Sequence, residues 1–186
     1  MLRDKNLIPL SHQHQHALAI CVRLDRALAK GNADLHAWQQ EVVSLWESEI
    51  RFHFEAEEKV LFPAAEKYAD LKPLLKQLVS EHAALRDFFA RAAARQMDAA
   101  ALKNLGEALS GHIRTEERQL FEECQRQMTA DEMARAGSAM DEYFANSSMP
   151  GASCALPSPR NAQSATCGPE RLRSRVLNRL PPESGA

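Results

Sequence analysis

Two short motifs with the same spacing, His53-x-x-x-Glu57 and His112-x-x-x-Glu116, lie in stretches that are rich in leucine and alanine. A carboxylate is costly to bury among apolar side chains unless a partner compensates its charge. Residues i and i+4 lie one above the other on a helix, so each motif directs an imidazole and a carboxylate to a single point. The two motifs therefore predict two metal ions held inside a helical protein.

The composition limits the class of protein. The 186 residues suffice for one domain with a core, and the 23 basic residues nearly balance the 25 acidic ones. This balance does not indicate binding to nucleic acid or to a membrane, and no apolar stretch approaches the roughly 18 residues of a membrane helix. The first residues lack the apolar segment of a secretory signal. We therefore expect a cytoplasmic protein whose four cysteines are reduced thiols.

Apolar residues recur at helical spacing in four long segments and one short segment, and none of the sequence alternates as a strand does. The predicted helices cover about 9–30, 33–68, 70–95, 98–128 and 129–144. Asp70 and Asp98 are predicted to cap the third and fourth helices, and Pro63 is predicted to kink the second. Thr129 and Glu132 have the spacing of a capping box before the fifth.

Short connections between long amphipathic helices favour an all-α, antiparallel, up-down-up-down four-helix bundle with a short fifth helix. We assign residues 1–146 to this bundle. Residues 147–186 are rich in Pro, Ser, Ala and Gly, and five arginines against two glutamates give them a net charge of +3. We expect a disordered, basic C-terminal tail. Contact of this tail with a protein partner is the alternative to a fully solvated tail.

Helical phase predicts which polar residues face the core. At 100° per residue, His53 and His112 lie on the apolar stripes of their helices, and Glu57 and Glu116 lie only 40° away. His82 lies on the apolar stripe of the third helix. These five residues are therefore predicted to point into the bundle.

The first helix offers a choice of histidines. His14 lies on its apolar stripe, whereas His12 and His16 point towards the polar side. We prefer His14, with His12 or His16 as alternatives. Counted from one end of the bundle, the four inward histidines fall within about 5 residues of each other, or roughly 7.5 Å. They therefore fit a single layer.

Three further glutamates near the motifs are assigned by the same geometry. Glu58 and Glu117 point away from the ligand stripe, so we predict that they lie on solvated faces. Glu49 lies one turn before His53 and has two alternative roles. It either accepts a hydrogen bond from an imidazole or forms an ion pair at the edge of the bundle.

The types of ligand indicate the kind of metal. Four imidazoles with two carboxylates are too rich in nitrogen for Mg or Ca, and neither an H-E-x-x-H motif nor a cysteine cluster indicates zinc. The ferritin-like di-iron motif places glutamate before histidine at i and i+3, which is the reverse of the order in this chain.

Residues from about 10 to 128 resemble the hemerythrin-like, or HHE cation-binding, family through PLSHQHQHALAI, HFEAEEKVLFP, EHAALR and LGEALSGHIRTEERQLF. The resemblance implies two non-haem iron ions with an oxo or hydroxo bridge, which bind dioxygen or a related small diatomic for storage, delivery or sensing. It also implies that Glu57 and Glu116 bridge the irons. The terminal ligands would then be His14, His53, His82 and His112.

The chain departs from the oxygen-carrying members of this family at one position. Their third helix supplies two histidines one turn apart, whereas Leu78 and Arg86 stand one turn before and after His82. With one ligand fewer, an iron-responsive or redox-responsive regulator and a protein of iron-centre repair or stress are alternatives. The sequence shows no nucleotide loop and no nucleophile with its base, so it assigns no turnover.

Overall fold

The computed structural model describes residues 2–147, and these residues form five helices and no strand. The helices are α1 (Ile8–Ala29), α2 (35–65), α3 (Lys72–Ala93), α4 (99–127) and α5 (Ala130–Asn146). The all-helical prediction is confirmed for this part of the chain. None of the described helices is long and apolar enough to cross a membrane. The predictions of disorder and of a partner contact for the tail concern residues 148–186, which lie outside the described residues.

Both motif-bearing helices contain π-helical turns. They are Trp46–Ile50 and Glu57–Leu61 in α2, and Glu116–Leu120 in α4. Such turns have i→i+5 hydrogen bonds in place of i→i+4 bonds and are frequent at functional sites. Two of the three begin at the glutamates of the His-x-x-x-Glu motifs. Pro63 follows the second turn, so the regular bonding of α2 is interrupted just before the residue that lacks an N–H.

The predicted caps are correct at two helices out of three. The side chain of Asp98 accepts a hydrogen bond from the first turn of α4, and Thr129 and Glu132 form a reciprocal capping box on α5. The prediction for Asp70 is wrong, because this residue lies in a 3₁₀ turn and α3 begins two residues later without a side-chain cap. Pro73 in the first turn of α3 has no N–H, so one of the donors that a cap would satisfy is absent.

Two clusters of buried apolar side chains form the core. The first combines the start of α1, the end of α2, the start of α3, the end of α4 and the inner face of α5, as in Leu10, Leu61, Leu78, Leu120 and Met140. The second combines the opposite ends of α1 to α4, as in Leu24, Leu45, Phe89 and Leu105. The buried histidines and glutamates of α1 to α4 lie at the boundary between the two clusters.

The fifth helix runs from Ala130 to Asn146, close to the range 129–144 that the sequence predicts. It has 17 residues, and its inner face adds Met133, Met140 and Phe144 to the first cluster. The Tyr143 hydroxyl donates a hydrogen bond to Glu55 on α2 over 2.7 Å. The fifth helix therefore covers one end of the bundle and supplies none of the predicted metal ligands.

Candidate metal centre

The six residues of the predicted site lie together between the two core clusters. Each is at most 3 % exposed, and they are His14, His53, Glu57, His82, His112 and Glu116. The alternatives on α1, His12 and His16, are exposed. The imidazole that Glu49 contacts is that of His16, whose Nδ1 lies 2.8 Å from Glu49 Oε1 at the exposed edge of the bundle and outside the centre. His14 is thus the histidine of α1 that reaches the centre.

The nitrogen and oxygen atoms of these residues form two overlapping groups of four, and within each group they lie within 4.8 Å of one another. Glu57 and Glu116 belong to both groups, and a different pair of histidines completes each: His14 with His53, and His82 with His112. The Nε2 atoms are 2.9 Å apart in the first pair and 3.1 Å apart in the second. Groups of this composition could each hold one metal ion.

Each carboxylate directs one oxygen to each histidine pair. Glu57 Oε1 lies 3.4 Å from His53 Nε2, and Glu57 Oε2 lies 3.5 Å from His82 Nε2. The two oxygens of Glu116 lie 3.1 Å and 3.3 Å from the Nε2 atoms of the histidines on α1 and α4. None of the four oxygens has a hydrogen bond, although both side chains are fully buried. Buried carboxylates without donors are costly, and a cation between the two pairs would remove that cost.

Every imidazole of the centre donates its Nδ1–H to a side chain on a neighbouring helix. The acceptors are Glu117 for His14 (2.7 Å), Gln13 for His53 (2.7 Å), Glu58 for His82 (2.8 Å) and Glu81 for His112 (2.9 Å). We call these four residues the acceptor ring, because each helix supplies the acceptor for a histidine of another helix. The acceptor on α1 serves α2, the one on α2 serves α3, the one on α3 serves α4, and the one on α4 serves α1. Each member is adjacent in sequence to a residue of the metal centre.

The acceptor ring determines what the imidazoles present to the centre. An ionised carboxylate or an amide oxygen only accepts, so the Nδ1 atom facing it carries the proton. The Nε2 atom of a neutral imidazole then carries a lone pair, which is the form that binds a metal. Two such lone pairs facing each other over about 3 Å repel unless a cation or a proton lies between them. The donor set therefore fits two metal ions with mixed nitrogen and oxygen ligands.

In the metal-free chain, protons compensate part of this buried charge. Burial acts in the opposite direction, but the nearby Glu57 carboxylate and the hydrogen bond to Glu58 raise the pKa of His82 to about 9. Burial and the charge of His82 lower the pKa of His112 to about 4. Burial and the charge of Glu57 raise the pKa of Glu116 well above its ordinary value. A bound cation would displace the protons on His82 and Glu116.

The prediction that Glu58 and Glu117 lie on solvated faces is wrong. Both belong to the acceptor ring, and each also binds an arginine: Arg86 contacts Glu58 over 2.8 Å, and Arg3 contacts Glu117 over 2.6 Å. Burial acts in the opposite direction, but hydrogen bonds from the histidines lower both glutamate pKa values to about 2. Arg86, one turn after His82, thus holds an acceptor of the centre.

The surroundings of the centre repeat along with the motifs. HFEAEEKVLF (53–62) and HIRTEERQLF (112–121) are identical at the histidine, both glutamates, the leucine and the final phenylalanine. Phe62 stacks on His82 with ring centroids 5.6 Å apart, and Phe121 stacks on His14 with centroids 5.5 Å apart. The ligands of the centre and one phenylalanine beside each histidine pair are therefore nearly twofold symmetric. Phe54, which stacks on His82 with centroids 3.7 Å apart, has no aromatic counterpart, because Ile113 occupies the equivalent position.

Comparison with known proteins agrees with this geometry. The family profile described as Hemerythrin HHE cation binding domain matches residues 9–124, a span that contains all six residues of the centre. Neither the curated proteins nor the solved structures gave a match. The profile covers well over half of the chain, so the resemblance inferred from the motifs is confirmed. The chain belongs to the hemerythrin HHE cation-binding domain family.

Proposed function

We propose that the chain is a non-haem di-iron protein that binds dioxygen or a related small diatomic molecule, for storage, delivery or sensing. The observation that carries this proposal is the pair of overlapping ligand groups that share two buried carboxylates, Glu57 and Glu116. Imidazole and carboxylate together suit iron. Two bound iron ions would supply the electrons and the open coordination positions that such a ligand requires.

In this proposal the chain holds, orients and shields the metal ions. Glu57 and Glu116 would be shared by both ions, and the four histidines, whose Nδ1 protons are held by the acceptor ring, would complete the ligand set. Around this centre, Ile50, Leu85 and Leu109 are each 1 % exposed and Leu78 is fully buried. Such an apolar lining excludes bulk water and slows uncontrolled oxidation of reduced iron.

The proposal includes the up-down-up-down topology expected from the sequence. In support, the first core cluster combines the starts of α1 and α3 with the ends of α2 and α4. The second cluster combines the ends of α1 and α3 with the starts of α2 and α4. Helices that alternate in direction would bring ligands from the middle of all four to one level. The cytoplasmic location stays a prediction.

A second candidate function is a reaction with peroxide or nitric oxide, in repair or stress, instead of reversible binding. It is favoured by the composition of the groups, since each offers two imidazoles and two carboxylate oxygens. With an oxo or hydroxo bridge, two six-coordinate irons would then keep about two positions open between them. Steady consumption of peroxide or nitric oxide beyond one equivalent per centre would select this candidate over reversible binding.

The proposal is tested by reconstituting the full chain with ferrous iron in the absence of oxygen, counting the bound iron, and recording absorption spectra after exposure to dioxygen or nitric oxide. We expect about two irons per chain and a long-lived charge-transfer band, as two ligand groups imply. His14→Ala should lower the iron count, whereas His16→Ala changes an exposed histidine two residues away and should not. An equal iron count in both variants would contradict the ligand assignment. Two irons without any spectral response would contradict diatomic binding.

A further inference from the structure

The near-twofold symmetry of the metal centre is broken in the acceptor ring. Glu58 and Glu117 occupy equivalent positions of the internal repeat, and each follows a shared carboxylate in sequence. The other two members also correspond, because Gln13 directly precedes His14 and Glu81 directly precedes His82. Gln13 carries a neutral amide and Glu81 carries a carboxylate, so the two halves of the ring differ in charge.

Two members of the ring have their charge balanced by an arginine. Arg3 Nη2 lies 2.6 Å from Glu117 Oε2, and Arg86 Nη1 lies 2.8 Å from Glu58 Oε1. Each of these two glutamates therefore forms a nearly neutral pair with its arginine. Glu81 instead accepts a hydrogen bond of 2.7 Å from the neutral amide of Gln77. Its negative charge is therefore the excess charge of the ring, and it lies on the side of His112, whose Nδ1 is 2.9 Å away.

On this basis we propose that the two metal positions differ in affinity: a divalent cation binds first and about 10-fold more tightly between His82 and His112 than between His14 and His53. This inference rests on the proposed two-metal function. It makes Gln13 and Glu81 positioning residues, which act on the cation through an imidazole and do not touch it.

The physical reason is the acceptor that each imidazole faces. A carboxylate that accepts the Nδ1 proton makes the opposite nitrogen a stronger donor, and partners of this kind change metal affinity about 10- to 100-fold. His112 faces the carboxylate of Glu81, whereas His53 faces the amide oxygen of Gln13. The side chain of Glu81 is 31 % exposed, so solvent screens part of its effect and we expect the lower end of that range.

Two binding steps alone do not test this inference, because repulsion between two cations also weakens the second step. The test must identify which position fills first. His53→Ala and His112→Ala form a matched pair, since each removes one histidine four residues before a shared carboxylate. Calorimetric titration of the metal-free full chain with Co²⁺ measures the dissociation constant of the first ion in both variants.

We expect His53→Ala to leave the first dissociation constant within about threefold of the wild type, and His112→Ala to raise it about 10-fold. Adding Gln13→Glu to His112→Ala should restore most of the lost affinity for the first ion, because His53 then faces a carboxylate. Gln40→Glu, the same change at an exposed position of α2, should restore nothing. Gln13→Glu in the wild-type chain removes no ligand, and it should tighten the second step about 10-fold.

Equal losses in His53→Ala and His112→Ala would overturn the inference while leaving the proposed two-metal function intact. An absence of any effect of Gln13→Glu would overturn it as well. If the wild-type chain itself bound fewer than two Co²⁺ ions, the proposed function would fail, and the asymmetry would fail with it. The two failures are therefore distinguishable in a single series of titrations.

Discussion

Glu57 and Glu116 are both completely buried, yet they hold different charges in the metal-free chain. Burial acts in the opposite direction, but the nearby imidazoles keep the pKa of Glu57 well below its ordinary value. Burial and the charge of Glu57 raise the pKa of Glu116. The pair thus holds one proton and one negative charge, and a metal must displace the proton.

This difference makes Glu116→Gln informative, because an amide resembles a protonated carboxyl in size but does not bridge two metals. We expect the free energy of unfolding of its metal-free form to lie within about 1 kcal/mol of the wild-type value. With Co²⁺ at 100 times the dissociation constant of the weaker position, each bound ion should stabilise the wild type by at least about 2.7 kcal/mol, and the variant should be stabilised by much less. Urea unfolding with and without Co²⁺ measures both values. Glu107→Gln on the exposed side of α4 is the control, and equal stabilisation of Glu116→Gln and this control would refute the bridging role.

Glu58 should make the metal-free chain sensitive to acid. Its folded pKa of about 2 lies below the ordinary value of 4.5, so its contribution to stability is complete above pH 4.5 and is lost as the pH falls towards 2. We expect Glu58→Gln to lower the free energy of unfolding by about 2 kcal/mol at pH 7, after allowance for solvent screening. Between pH 5 and pH 2, the stability of this variant should decline less steeply than that of the wild type. Urea unfolding at several pH values measures this, with the exposed Glu47→Gln as control. Parallel acid profiles for Glu58→Gln and the wild type would disprove this prediction.

The sequence predicts the six central residues but not the acceptor ring. The ligands could be found because an inward helical phase depends only on spacing, which the apolar stripes define. Glu58 and Glu117 were misplaced because a step of 100° per residue assumes a regular α-helix, and both residues lie in π-helical turns. The missing signal is chemical: every buried imidazole needs an acceptor for its second nitrogen, and four of the six ligands have such an acceptor beside them in sequence.

Among the helices, the ends show where local chemistry decides the structure. Asp98 caps α4 through a hydrogen bond of 2.7 Å from the backbone N–H of Ala101, as its sequence position predicts. Asp70 has the same side chain but lies within a 3₁₀ turn, where its carboxylate does not meet the first N–H groups of α3. The π-helical turns were not predictable from composition, because no residue type marks them.

The Asp98 cap of α4 gives a prediction about helix stability. Asp98→Ala should lower the free energy of unfolding by about 1 kcal/mol, since it leaves an N–H of α4 without its acceptor. Asp87→Ala, on the exposed face of α3, should change stability by less than about 0.5 kcal/mol. Both variants should keep the Co²⁺ affinity of the wild type, because neither residue contacts the centre. Equal stability of the two variants, measured by urea unfolding, would show that the cap contributes nothing.

Over the described part of the molecule, the centre lies between two apolar clusters that hold opposite ends of the same four helices. Sequence periodicity predicts the apolar faces, and the depth of the histidines predicts one layer. The layer is nevertheless a tertiary property, since Leu78 and Leu85 on either side of His82 belong to different clusters. Metal ions that join α1 to α4 at this level would therefore connect both clusters.

This connection predicts the pattern of hydrogen exchange. If ligands from four helices hold the ions, hydrogen exchange of the slowest amides in both clusters should slow by a similar factor on metal binding. These amides lie near Leu61 and Leu120 in the first cluster and near Leu45 and Leu105 in the second. At a Co²⁺ concentration 100 times the dissociation constant of the weaker position, the expected factor is at least about 100 for each ion that opening of either cluster must release. Mass-spectrometric exchange of metal-free and Co²⁺-loaded full chain measures it, and His16→Ala should respond as the wild type does. Protection confined to one cluster would contradict the prediction, because it would show that metal binding does not connect the two clusters.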